Sequence, residues 1–266
     1  ENIYSFISNI PNDDHEQFNE KRKIGQNDGF LYKLIQNDLI EEFIVYVNKN
    51  DYSLLNYVKP SIFETNTFLL KNNRQTLIEY AAFFGSIQIF KYLYKNEVEL
   101  TSSLWLYAIH GDNAEIIHLL EEKKVMPKKN SYLDCIKESI KCHHNHIFEY
   151  IENNFLDENI KLFEDIDFEN EYYMNAVFYC FHYYNFSLFP KEINNNNNIF
   201  VFSYACKYDY FSLVQILLNQ GNININSKLI TIILFFNKKI IFNLKSFNDD
   251  IQNLIIEITF QLFFKL

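Results

Sequence analysis

The stretch CIKESIKCHHNHIFEY, Cys135 to Tyr150, sets Cys142, His143, His144 and His146 almost side by side, with Cys135 two helical turns upstream. Thiolate and imidazole together suit a tetrahedral zinc ion, so a zinc-binding module or metal-dependent enzyme using Cys142, His143, His144 and His146 is the chemistry that these residue types offer. Their spacing departs from the paired two-residue spacing of a zinc finger. Polar side chains in a turn between helices need no ligand to account for them, and the expectation is no metal and no other cofactor. The acidic run EDIDFENE, Glu164 to Glu171, offers Asp165 and Asp167 to a hard cation but lacks the glycine and ligand spacing of a calcium loop. It reads as a solvated connection. No Gly-x-Ser-x-Gly elbow is present, HEQFN at His15 breaks the zinc-protease pattern, and no glycine cluster resembles a phosphate-binding loop. The chain is expected not to be an enzyme.

The elements that must position these residues are helical. Glycine occurs 5 times and proline 4 times in 266 residues, too few for a fold built on tight hairpins, so long helical runs with polar connections are expected. A hydrophobic content of 48% supplies a sizeable core. The formal charge of -10 repels phosphate backbones and anionic lipid surfaces, which excludes nucleic acid and membrane as expected partners. The most apolar run, Leu229 to Phe236, stops far short of the roughly 20 residues that span a bilayer. Cys135, Cys142, Cys180 and Cys206 lack close pairing and read as reduced thiols, which points to the cytoplasm. The start at Glu1 rather than methionine leaves an upstream segment open.

An internal repeat organises the chain. Aligned on a small residue three positions before a turn glycine, YAAFFGS places Ala82 before Gly85 and LYAIHGD places Ala108 before Gly111, a spacing of 26 residues. Paired apolar residues follow each turn, Ile89 and Phe90 in one unit and Ile116 and Ile117 in the next, one position out of register. The same frame places Ser139 and Ala205, with weaker units at Ile35 and Cys180. Each unit reads as a short helix, a turn and a second apolar helix, which cannot bury its own apolar face and must stack on neighbours. Small residues are expected where adjacent first helices cross, Gly85 and Gly111 in left-handed C-cap positions, and Trp105 in the core between first helices.

On these residues the chain resembles the ankyrin repeat. TLIEYAAFFGS is similar to a degenerate form of the ankyrin signature Thr-Pro-Leu-His, small residues, Gly, and LVQILLNQGNININ is similar to the second helix and its loop. It resembles more closely a divergent ankyrin-repeat family of unknown function, expanded in some unicellular eukaryotes. Leu77 stands where the signature has proline and Glu79 where it has histidine, while Asp38, Cys142, Tyr183 and Tyr208 fill the turn-glycine slot. The resemblance implies an all-α, ankyrin-like α-solenoid of stacked helix-turn-helix repeats over 31–226. An N-terminal segment, 1–30, precedes it, and a capping helix or poorly ordered tail, 227–266, follows. The stretch from Asp51 to Arg74 is too long for a normal connection and is expected to hold an extra helical segment beginning near Thr65 to Leu70.

The function expected of such an array is a monomeric protein-protein interaction scaffold that binds a partner protein through its concave surface. The residue before each turn slot is Phe84, His110, Lys141, His182 and Lys207. The residue two before each small position is Tyr80, Leu106, Lys137, Phe178 and Ser203. This ladder is aromatic and apolar in the first units and more basic in the later ones, which suits an acidic, aromatic-bearing peptide.

Overall fold

A computed structural model describes residues 15–72, 74–156, 171–188 and 198–219, and their regular elements are helices. The all-α expectation holds. Contacts divide the chain into two units that meet between Ile147 and Phe148 in the sequence. The first unit contains α1 (His15–Ile24), α2 (Phe30–Gln36), α3 (Ile40–Lys49), α4 (Thr67–Lys71), α5 (Leu77–Phe83), α6 (Ile87–Lys95), α7 (Leu104–His110), α8 (Ala114–Glu122) and α9 (Leu133–Cys142). The helix α10 (Asn145–Phe155) runs across the division, and α11 (Glu171–His182), α12 (Asn198–Lys207) and α13 (Phe211–Asn219) belong to the second unit. No helix among the described residues is long and apolar enough to cross a membrane. The N-terminal 14 residues, the acidic run up to Asn170 and the expected C-terminal helix lie outside the described residues.

Local signals set the helix starts. Thr76 and Glu79 form a capping box on α5, the Glu79 amide donating to Thr76 Oγ1 and the Thr76 amide to Glu79 Oε2. Asn113 Oδ1 accepts from the Glu115 and Ile116 amides at the head of α8. Ser86 leads α6 without capping it. The Asp38 carboxylate, from the preceding hairpin, accepts from the Gln88 and Ile89 amides instead, at 3.0 and 2.9 Å.

In the first unit α2, α5, α7 and α9 pack each on the next, while α3, α6 and α8 form a second row behind them. The apolar stripes Ile89, Phe90, Leu93 and Ile116, Ile117, Leu120 are buried between the rows. Ala81, Ala82, Ala108 and Ser139 are fully buried where first helices cross, as their size predicts. Trp105 is fully buried and donates from Nε1 to the Val125 carbonyl at 2.6 Å. In the second unit α11 packs on α12 and α12 on α13, around Phe181, Phe202, Ala205 and Leu217.

The turns correct the repeat frame by one residue. Gly85 has φ 67, as expected of a left-handed cap, but Gly111 has φ -72 and the left-handed residue of its turn is Asp112. Cys142, Tyr183 and Tyr208 are likewise displaced as turn residues by His143, Tyr184 and Asp209, with φ 61, 60 and 61; Asp38 keeps its place at φ 51. Each left-handed residue stands four after an anchor: Leu34, Ala81, Ala108, Ser139, Cys180 or Ala205. The following amide often closes the turn on that anchor, as from Leu39 to Leu34, Ser86 to Ala81, His144 to Ser139 and Tyr210 to Ala205. Ala81, not Ala82, is therefore the counterpart of Ala108. The spacing becomes 27 residues, and the apolar pairs Ile89–Phe90 and Ile116–Ile117 fall into register.

Gly111 has a different reason for being glycine. A Cβ there would overlap the Ala82 carbonyl oxygen and sit 2.8 Å from the Gly85 nitrogen, and a Cβ on Gly85 would lie 2.6 Å from the Gly111 carbonyl oxygen. The two turns touch backbone to backbone. Hydrogen bonds run from each turn to the one before: Ser86 Oγ donates to the Ile35 carbonyl, Asn113 Nδ2 to Gly85 at 3.0 Å, and His144 Nδ1 to Ile109 at 2.6 Å. In the second unit the Tyr210 hydroxyl does the same to Phe181 at 3.2 Å.

The long connection after α3 holds the expected extra helix, α4, headed by Asn66, whose Oδ1 accepts from the Phe68 and Leu69 amides. Before α4 the chain bridges Tyr57 to Thr76, and the Lys59 amide donates to the Tyr32 hydroxyl at 2.8 Å. Phe68 is then delivered onto α5 and α7, 5.9 Å from the Phe83 ring and 4.9 Å from Tyr107.

Gly111→Ala is expected to lower stability by about 1–3 kcal/mol by forcing these turns apart, with the urea midpoint as readout; Lys123→Ala is expected to leave the midpoint unchanged. Asp38→Ala removes the shared cap of α6 and is expected to cost about 1 kcal/mol in the same titration.

Candidate functional site

The first-helix face of the first unit carries a groove of about 600 Å³ lined by Phe68, Arg74, Leu106, Tyr107, Lys128 and Asp134 among others. Arg74, Lys128 and Asp134 are exposed at its edges, and Leu106 is half-buried. Glu79 also lines it, but its carboxylate is engaged by the Thr76 amide and the Ser103 hydroxyl. Leu106 thus lines the groove.

The other ladder residues divide. Tyr80 is buried at 1% exposure and receives a hydrogen bond from Gln36 Nε2, so it has no surface for a partner. Phe84 is half-buried against Tyr80 and Phe83, with ring centroids 4.8 and 5.0 Å away. The one-residue frame slip explains both: Glu79 and Phe83 hold the positions equivalent to Leu106 and His110. Lys137 and Lys141 are half-exposed on α9. In the second unit Phe178, His182 and Lys207 do come together. Phe178 and His182 stack at 5.6 Å, and Lys207 Nζ lies 5.1 Å from the Phe178 centroid.

The four residues that the sequence offers as an alternative zinc set are not gathered. Cys142 turns toward α7, His143 is the exposed left-handed turn residue, and His144 and His146 face Asp112, their nitrogens 3.6 and 3.1 Å from its Oδ1. The structure gathers a different set. His110 Nε2 lies 2.8 Å from Glu138 Oε1, and Cys142 Sγ lies 3.5 and 3.8 Å from His110 Nδ1 and Nε2. Lys141 is paired with the same Glu138 oxygen. The His110 ring packs beside Phe68 and Phe83, at centroid distances of 4.2 and 5.1 Å. Glu138 and Phe68 carried no signal in the repeat pattern. The four-residue spacing from Glu138 to Cys142 on one helix was the visible hint.

Electrostatics at this cluster follow from burial. Desolvation works to raise the Glu138 carboxyl, but hydrogen bonds from His110 and Lys141 and the Lys141 charge prevail and hold it below the ordinary 4.5. Burial, reinforced by the charge of Glu138, pushes the Cys142 thiol up to about 12. Burial alone does the same to Cys180 and Cys206, and Cys135 is raised to about 12 by burial and its acidic neighbours.

Fold and site define an all-helical protein whose helical hairpins carry a groove and a polar cluster on the first-helix face of one unit. Comparison with family models, curated proteins and solved structures finds no match.

The thiols give a pH dependence with a definite sign. Above the ordinary thiol value of 9.0 an unfolded chain releases protons that the folded chain keeps until about 12, so stability present below 9.0 is lost as pH rises. Urea midpoints are expected to fall between pH 8 and pH 10 (on the order of the interval in which free thiols ionise), and by less in the Cys180→Ala and Cys206→Ala double variant than in the parent.

Proposed function

We propose that the chain is a non-enzymatic, monomeric protein-protein interaction scaffold of the ankyrin-like solenoid type, acting in the cytoplasm. The groove on the first-helix face carries this reading, because it combines aromatic and aliphatic walls with exposed cations at a site made by several stacked hairpins. Stacked repeats serve binding in this way, since side chains from successive units form one extended surface. The repeat residues described above support the ankyrin likeness.

The partner is an acidic, aromatic-bearing segment of another protein. Arg74 and Lys128 supply positive charge at the groove against one exposed carboxylate, Asp134, while the Glu79 carboxylate is already satisfied within the chain. Tyr107, Phe68 and Leu106 offer the apolar contacts on which an inserted aromatic gains most of its binding energy. The overall charge of -10 makes the local cations a selective feature rather than a general attraction.

A random-peptide display selection on the intact chain is expected to enrich segments containing Asp or Glu beside Phe, Tyr or Trp. Arg74→Glu combined with Lys128→Glu is expected to weaken the selected peptides at least about tenfold in fluorescence anisotropy, the scale of a lost charge pair. Glu121→Ala with Lys124→Ala, on exposed residues of and after α8, is the control. Unchanged affinity in the charge-reversed protein, with unchanged circular dichroism, would overturn the assignment.

A further inference from the structure

We propose that His110, Glu138 and Cys142 form a binding site for one divalent transition metal ion with thiolate and imidazole preference, of which Zn²⁺ is the physiological example. This site is independent of the scaffold reading and uses only one of the four residues that the sequence pattern suggests for zinc.

The geometry supports a metal ion. Among the described residues these three form a group whose ligand atoms all lie within 4.8 Å of one another. In a tetrahedral site with bonds near 2.0 Å to nitrogen and oxygen and 2.3 Å to sulfur, ligand atoms stand about 3.3–3.6 Å apart. The separations of 2.8 Å from His110 Nε2 to Glu138 and 3.8 Å from His110 Nε2 to Cys142 Sγ straddle that range. Rotation of two side chains on one face of α9 reaches it, because Glu138 and Cys142 are one turn apart. The imidazole is already held in place by Phe68 and Phe83. Water fills the fourth position.

The charges also fit. On loading, the S–H bond of Cys142 breaks, its proton passes to solvent, and a sulfur–metal bond forms with no change in oxidation state. Carboxylate and thiolate then neutralise the two positive charges of the ion. Lys141 occupies the cation's place on Glu138 in the empty site, and its side chain is one-third exposed, so it can leave to solvent. The same three residues resemble a thiol–imidazole–carboxylate relay.

Cobalt(II) titrated into the reduced full chain tests the site. One equivalent is expected to bind, with a thiolate-to-cobalt charge-transfer band in the near ultraviolet that Zn²⁺ abolishes by competition. Cys142→Ser is expected to remove the band, and His110→Ala and Glu138→Gln to weaken binding more than about tenfold. Lys141→Ala is expected to tighten it by removing the competing cation. His144→Ala with His146→Ala is expected to change nothing. In case a ligand variant fails to fold, the parent protein provides a second reading: saturating Zn²⁺ is expected to protect Cys142, and not Cys180, from alkylation followed by peptide mass spectrometry. A parent protein without a charge-transfer band, a band that survives His110→Ala, or alkylation of Cys142 indifferent to Zn²⁺ would each overturn the proposal. Rapid metal-free alkylation of Cys142 that depends on His110 would overturn it in favour of the relay.

Discussion

The backbone contact between the Gly85 and Gly111 turns sets the distance on which the first unit depends. With no side chain on either residue, the end of α5 and the end of α7 approach until carbonyl and amide groups meet. Asn113 then reaches back to the Gly85 carbonyl while its own oxygen caps α8, so one side chain ties successive hairpins and starts a helix. Ser86 and His144 repeat the tie at the neighbouring turns with different chemistry. The buried alanines and Ser139 follow as a consequence, since helices held this close leave no room for larger residues where they cross.

The His144 tie to Ile109 holds α9 close to α7, where His110 meets Glu138 and Cys142. The carboxylate is the joint of the cluster, accepting from an imidazole and an ammonium while largely shielded from water. A buried carboxylate is tolerated when it is paired and hydrogen-bonded, and here both conditions are met from two different helices. The groove lies on the same face and shares Phe68 and Tyr107 with the surroundings of His110. Recognition surface and polar cluster are thus adjacent products of one helix row.

Helical class and hairpin pattern were legible because the small residues and the apolar pairs recur with recognisable spacing. Ala108 and Trp105 occupy the core as their types and positions imply. The frame slipped at YAAFFG because Ala81 and Ala82 are adjacent, and periodicity alone does not choose between two equal small residues. The cost was Tyr80 in place of Glu79 and Phe84 in place of Phe83. Glycine as a marker of left-handed backbone succeeded at Gly85 and failed at Gly111, where close approach rather than dihedral freedom selects it. The four residues that offered a zinc set are not brought together, because Cys142 contacts His110 while His144 and His146 face Asp112, and His110 is near Cys142 only through tertiary packing. Phe68 was beyond reach for the same reason.

The segment carrying α4 changes the kind of folding unit that the array makes. In a simple stack each hairpin touches only its neighbours, and stability is close to a sum of local terms that can unravel from either end. Here residues between α3 and α5 bond back to Tyr32 and Gly25 and forward, through Phe68, to Phe83, Tyr107 and His110. These links skip the nearest-neighbour order and raise the mean sequence separation of contacts, which slows folding while binding the hairpins into one cooperative transition. The inserted strap makes the first unit behave less like a chain of beads and more like a single globule, whose outer hairpins do not fray independently of its centre.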